Sequence, residues 1–223
     1  MNPSKRHDFI RFVVQQENLF IIFTDTTTDQ PRLWPMEELF TYLAQFGYLN
    51  AQQRELIRIR AKRRTIAKGA YFAEAGKISN QIGYVTDGIF RVCYYDKRGD
   101  SFTRYFVYEN RFVVDINSFR DELPSAEYIE AITDCELWVF SREDFNQLST
   151  LIPEWPGMFA NITLHALENK LKFTSNMLVQ DAQQRYQNFL DHYPGLANRV
   201  PLTMLASYLG ITPSSLSRIR RNR

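Results

Sequence analysis

The apolar positions of this chain change their period along its length. Met36, Leu39, Phe40, Leu43 and Phe46 recur at helical spacing behind Glu37 and Glu38, which predicts a helix beginning at Met36. Residues 51–60 (AQQRELIRIR) predict a second short helix. The helical period is then lost. Segments 63–74, 81–96, 101–108 and 127–140 are rich in Ile, Val, Tyr and Phe, and Gly69, Gly76, Gly83, Gly88 and Gly99 punctuate them. Short strands between glycine turns predict a sandwich or barrel. Lys97–Asp100 has the chemistry of a hairpin turn between Val92–Asp96 and Ser101–Val107.

From Pro153 the helical period returns, and Pro156 suits a first helical turn. Ala160, Leu164, Leu167, Leu171, Thr174 and Leu178 follow at alternating spacings of four and three. That pattern predicts a dimer seam of about three heptads; the other reading is a helix packed on its own domain. Asp181–His192 predicts another helix, stopped by Pro194-Gly195, and the last element is 200–223. Residues 1–35 have no clear period, and TDTTTD at 24–29 with Pro31 and Pro35 reads as loop. Two readings stay open for them: an extension upstream of a start at Met36, or an arm packed on the body.

Composition narrows the class. Hydrophobic residues make up 44% of the 223 positions and charged residues 23%, enough apolar surface for one large or two small folded domains. Cys93 and Cys135 form no CxxC pair, as expected of buried thiols in a reducing compartment. No run of about 18 apolar residues exists, and Leu19–Phe23, bracketed by Glu17 and Asp25, is too short for a signal peptide core. The expectation is a cytoplasmic protein without a membrane partner.

Charge changes the picture only when mapped. Every acid lies at or before Asp191, so residues 192–223 carry +5 and the remainder −3. A basic segment on a mildly acidic body points to a polyanion. In that segment, Ala206 is small enough for two helices to cross closely, and Gly210 follows where a turn needs positive φ. Leu205, Leu209, Ile211, Leu216 and Ile219 supply a buried wedge. Thr212 can cap a second helix whose first turn holds Pro213. This is a helix-turn-helix. Pro213, Ser214, Ser217, Arg218 and Arg221 fall on the open face, where small side chains admit the helix to a major groove and Arg218 can reach guanine. Ser215, Arg220 and Arg223 are better placed for phosphates. The candidate DNA-binding set is therefore Thr212, Ser214, Ser215, Ser217, Arg218, Arg220, Arg221 and Arg223. A purely structural helical hairpin is the alternative.

From Met36 to Arg223 the chain resembles the Crp/Fnr family of transcription regulators, most closely its Bacteroidetes branch. Lys68-Gly69, Gly76, Tyr84–Val92 with Gly88 inside it, and Gly99 match the family's roll. Ala206, Gly210, Leu216, Ser217 and Arg218 match its DNA-reading motif. The resemblance implies an α+β architecture: a cyclic-nucleotide-binding-like β-roll of jelly-roll type over 36–152, a dimerisation helix over 153–178 and a helix-turn-helix domain over 179–223. Residues 1–35 remain an extension of unknown role. It also implies a homodimer on a near-palindromic duplex site, with RNA polymerase as a further partner. The seam residues would be Ala160, Leu164, Leu167 and Leu171.

The departures from the family bear on its effector. Cyclic-nucleotide members hold phosphate with a Gly-Glu pair and an Arg-Ser/Thr-Ala run. Here the corresponding stretches are Phe112-Val113-Val114-Asp115 and Ser125-Ala126-Glu127. Val114 replaces the glycine and Ser125 the arginine, so a phosphate there lacks its compensating charge. Arg111 and Arg120 are the nearby replacements. The candidate pocket is Arg111, Val113, Val114, Asp115, Ser125 and Ala126, and cyclic AMP is not the expected effector. A different small molecule, or none, stays open. Two cysteines are too few for an iron–sulfur sensor, and His7, His165 and His192 all lie outside the roll. No P-loop, Rossmann fingerprint, Gly-x-Ser-x-Gly elbow or metal cluster is present, and Asp115 and Glu109 form no recognisable acid pair. No catalytic residue, metal or cofactor is expected. The competing reading is a small-ligand binding module whose C-terminal hairpin is structural.

Overall fold

A computed structural model of the chain describes residues 36–177 and 179–222. The predicted N-terminal extension, the seam position Leu178 and the candidate phosphate contact Arg223 lie outside the described residues. Two short helices open the fold, α1 (Met36–Leu43) and α2 (Ala51–Arg58). Asn50 starts α2 with a reciprocal cap: its side chain accepts the Gln53 N–H at 2.9 Å, and the Gln53 side chain accepts the Asn50 N–H at 2.9 Å.

Eight strands follow: β1 (Lys62–Ile66), β2 (Tyr71–Ala73), β3 (Gln81–Asp87), β4 (Ile89–Tyr95), β5 (Ser101–Tyr108), β6 (Arg111–Val113), β7 (Tyr128–Ala131) and β8 (Cys135–Ser141). They form two antiparallel sheets, ordered β1-β8-β3-β6 (sheet A) and β2-β7-β4-β5 (sheet B). The predicted hairpin is present: Ser101 pairs with Tyr95, Asp96 accepts the Arg98 and Asp100 N–H groups through its side chain, and Gly99 has φ +86°. Gly88 turns β3 into β4 at φ +99°, where a Cβ would meet the Asp134 carbonyl oxygen at 2.5 Å.

Within segment 63–74 the glycine at 69 turns at φ +83° and sends β1 and β2 into different sheets. Two helices also lie where the pattern predicts none. One is α3 (Ile116–Asp121), six residues capped by Asp115. The other is α4 (Arg142–Leu151), capped by Ser141. Each buries too little of its length to write a helical period; in α4 only Leu148 is buried.

The long helix α5 (Trp155–Met177) has two unlike halves. Trp155, Met158, Phe159 and Ile162 are buried against α1, α2, α4 and the outer face of sheet A. Leu164, Leu167 and Leu171 are then 54%, 50% and 57% exposed. The remaining elements form a C-terminal head: α6 (Ala182–His192), a 3-10 turn at Leu196–Asn198, α7 (Leu202–Leu209) and α8 (Pro213–Arg221).

Three cores hold these parts. Val85, Phe90, Val92, Val107, Val113, Ile129 and Leu137 fill the interior of the roll. Ile82, Tyr84 and Phe140 on the outer face of sheet A meet the N-terminal helices and α5. Ile89, Phe106 and Ile132 on the outer face of sheet B share a core with Phe189, Leu205, Leu209 and Leu216 of the head. Arg91 also lies on that outer face, 3% exposed, with its Nε 3.5 Å from Glu130 Oε2. Among the described residues, no helix is long and apolar enough to cross a membrane.

Candidate nucleic-acid interface and effector pocket

The head builds α8 from local chemistry. Gly210 ends α7 at φ +66°, and the Ile211 N–H returns to the Ala206 carbonyl at 3.0 Å. Arg185 on α6 donates to the Leu209 carbonyl at 3.1 Å and to the Gln180 carbonyl at 3.0 Å, tying the turn to the rest of the head. Thr212 caps α8 by accepting the Ser215 N–H at 3.1 Å, and Pro213 occupies the first turn. Ala206, Leu205, Leu209 and Leu216 are fully buried, whereas Ile211 and Ile219 lie half-buried at the rim of the wedge.

The candidate contacts separate into two groups. Thr212, Ser214, Ser217, Arg218 and Arg221 lie on one side of α8, where Thr212, Ser214, Ser217, Arg218 and Arg221 all keep contact with solvent. Ser215 is half-buried, and its hydroxyl accepts from Thr212 at 2.9 Å. Arg220, expected at a phosphate, turns inward: its Nη2 donates to the Ala197 carbonyl at 2.8 Å, and the guanidinium lies 5.6 Å from the Tyr186 ring centre. It is a strut of the head.

The candidate pocket residues are likewise divided. Asp115 and Ser125 come together. The Ser125 hydroxyl donates to Asp115 Oδ2 at 2.5 Å and accepts the Glu127 N–H at 3.2 Å, while Asp115 Oδ1 accepts the Ser118 N–H at 3.1 Å. The carboxylate at the start of α3 is thereby engaged by the chain's own donors. Val113 belongs to the roll interior, Val114 packs toward α1 and α5, and Ala126 is exposed. Arg111 stacks on Tyr108 at 3.5 Å and donates to the Glu109 carbonyl at 3.0 Å. Arg120 pairs with its neighbour Asp121 at 2.7 Å. The expected replacement arginines are therefore committed elsewhere. A cavity of about 110 Å³ lies beside this region, lined by Phe72, Glu74, Lys77 and Ser79 among others; it is far below the roughly 300 Å³ at which ordinary ligand pockets begin.

Three features escaped the sequence reading. Arg142 clamps α3: its Nε donates to the Phe119 carbonyl at 2.7 Å, its Nη2 to the Ser79 carbonyl at 2.9 Å, and its Nη1 pairs with Glu122 at 3.0 Å. Its only sequence signal is its place directly after the Ser141 cap. Glu109, after β5, forms a two-pronged ion pair with Arg199 of the head and accepts the Gly88 N–H at 2.9 Å. Burial pushes the Glu109 carboxyl up, but the Arg199 guanidinium and the backbone donors outweigh it and hold it below the ordinary carboxylate range. Ser207 on α7 accepts the Thr103 N–H of β5 at 3.0 Å. Both contacts join residues about a hundred positions apart, which no local pattern encodes.

Burial raises both thiols, that of Cys135 to about 11, so they stay protonated at neutral pH and behave as small core residues. Among the described residues, no cluster of three or more metal-ligating side chains occurs.

The cyclic nucleotide-binding domain family matches residues 63–150 of the chain. No curated protein sequence matches it. Among solved structures, FixK2 from Bradyrhizobium japonicum superposes with a TM-score of 0.64 at 15% identity, covering 73% of this chain and 83% of that one. The c-di-GMP responsive global regulator CLP from Xanthomonas campestris gives 0.61 at 18% identity, covering 78% and 91%. The catabolite activator protein of Thermus thermophilus gives 0.51 at 19% identity, covering 81% and 85%. At these identities the likeness establishes the shared fold.

Proposed function

We propose that this chain, whose fold is that of the cyclic-nucleotide-binding and Crp/Fnr superfamily, is a dimeric regulator that reads duplex DNA through α8 and works without a cyclic-nucleotide effector. One observation carries the reading. The outward side of α8 is polar, basic and open, with Ser214, Ser217, Arg218 and Arg221 exposed above a buried Leu216. A short helix with small residues at its start and arginines beyond fits a major groove. Arg218 is the base-reading side chain in this assignment, and Arg221 meets the backbone.

The leucine stripe of α5 supports self-association. Three leucines at coiled-coil spacing, each about half exposed, are poorly satisfied by water and well satisfied by a second copy. Two heads related by a two-fold axis would meet half-sites about 34 Å apart. Serine in place of arginine at position 125, its hydroxyl bonded to Asp115, and the engagement of Arg111 by Tyr108 support the second half of the proposal.

A binding-selection experiment on random duplex DNA tests it. The wild type selects two inverted half-sites. Arg218→Ala loses about 1–3 kcal/mol at that site and relaxes one position per half-site. Leu167→Asp yields monomers by sedimentation and no paired half-sites. Recovery of no sequence by the wild type would overturn the proposal. If Arg218→Ala keeps every base preference and loses only affinity, the arginine is a phosphate clamp.

A further inference from the structure

The head is not tethered to the roll through α5 alone. It is laid along β5, an edge strand of sheet B, and fastened at two places. At one, Ser207 of α7 accepts the Thr103 N–H at 3.0 Å and approaches the Ser101 carbonyl at 3.4 Å. At the other, Arg199, just before α7, grips Glu109, just after β5. Thr103 and Glu109 are six positions apart along extended chain, a span of about 20 Å at the usual rise.

Two attachments that far apart fix a direction, which one attachment does not. Each is also stiff in itself. Thr103 offers a backbone group with no rotamer freedom. Arg199 and Glu109 meet as a planar fork, and the Gly88 N–H holds the carboxylate from behind. Between the two, Tyr208 of α7 packs edge-on against Phe106 of β5 at 5.4 Å. The exposed side of α8 stays open in this arrangement, so the roll holds the head without covering its reading face.

We infer that Glu109, Arg199 and Ser207 set the pose of each head on its roll, and thereby determine which spacing between DNA half-sites the dimer accepts. This rests on the proposed DNA-reading function. In a two-fold dimer, the separation and tilt of the two α8 helices follow from the head–roll angle on each side. A rigid joint gives a sharp optimum of spacing, whereas a loose joint accepts neighbouring spacings but loses the advantage of preorganisation.

The experiment measures affinity by fluorescence anisotropy on duplexes carrying one half-site, two half-sites at the selected spacing, and two half-sites one base pair closer or further apart. The proteins are the full chain, Glu109→Gln, Ser207→Ala and the double variant, each checked for dimer mass. The wild type should bind the selected spacing about tenfold more tightly than its neighbours, since even 1.4 kcal/mol of misfit has that effect. The double variant should lose most of that ratio and bind the selected spacing several-fold more weakly. Its affinity for the single half-site should be unchanged, because none of the altered residues lies on the open face of α8. A spacing preference equal to wild type in the double variant overturns the inference and leaves the DNA-reading function standing. Failure of the wild type to bind even a half-site overturns both. Each single variant alters one fastening only and should lose part of the spacing ratio. If the double variant misfolds, a wild-type ratio in both single variants overturns the inference instead.

Discussion

Sheets A and B each bury an outer face, and they do so with different chemistry. The face of sheet A is sealed by Phe140, Ile82 and Tyr84 against Trp155, Phe159 and the N-terminal helices, an almost wholly apolar joint. The face of sheet B has an apolar centre at Ile89 and Phe106, but polar contacts with the head flank it: Ser207 on the β5 edge and Arg199 on Glu109. An apolar joint is strong and indifferent to direction, because burial scales with area. Directional bonds add little net stability but select one arrangement. The first joint holds the body together; the second decides where the head points.

The apolar joint on sheet A should carry the larger share of the stability. Phe140→Ala removes a fully buried ring beneath Trp155 and should cost about 3–5 kcal/mol of unfolding free energy by denaturant titration. A loss below about 1 kcal/mol would mean that this joint is not the stabilising one. On sheet B, Ser207→Ala should cost less, about 1–3 kcal/mol, mostly from stranding the Thr103 N–H. Its specific mark is faster amide hydrogen exchange along β5 with little change on sheet A.

The smallest effect is one of pH. The folded-state pKa of Glu109 is depressed, so its contribution is fully present above the ordinary carboxylate value of 4.5 and is lost as pH falls through the depressed one. The melting difference between wild type and Glu109→Gln should therefore be flat between about pH 6 and pH 8 and should close only in acid. A difference that varies across neutral pH would point to another titrating group at the joint.

The predicted strands and the helix-turn-helix are legible because they repeat or punctuate: glycine turns between β-branched runs, and a small residue, a glycine and a capping threonine in order from Ala206 to Thr212. Helix α4 is legible in principle, since Ser141 with Asp144 three residues on is a capping pair, but a strand running straight into it masks the change of period. Helix α3 is too short to show a period. Of the candidate pocket, the sequence carries the composition and not the geometry. The missing arginine is visible there, while the bond from Ser125 to Asp115 and the diversion of Arg111 to Tyr108 depend on how the loops fold back. The count of arginines near the C-terminus misleads in the same way, because charge is additive along a sequence and partners are not.

A protein that neutralises DNA phosphates releases condensed cations, and each such contact adds roughly 0.9 to the slope of log affinity against log salt. Arg199 already carries its counterion in the Glu109 carboxylate, and Arg220 is turned toward the Ala197 carbonyl. If α8 meets DNA as proposed, Arg199 is neutralised by Glu109 before a duplex arrives, whereas Arg220, bonded to a neutral carbonyl, keeps its charge. On the proposed function the head therefore has less electrostatic hold on arbitrary DNA than its sequence charge suggests, by the one charge that Arg199 shares with Glu109. One arginine that would have made the head cling to any duplex instead holds it still, so on the proposed function a larger share of its preference for one duplex over another must come from fit.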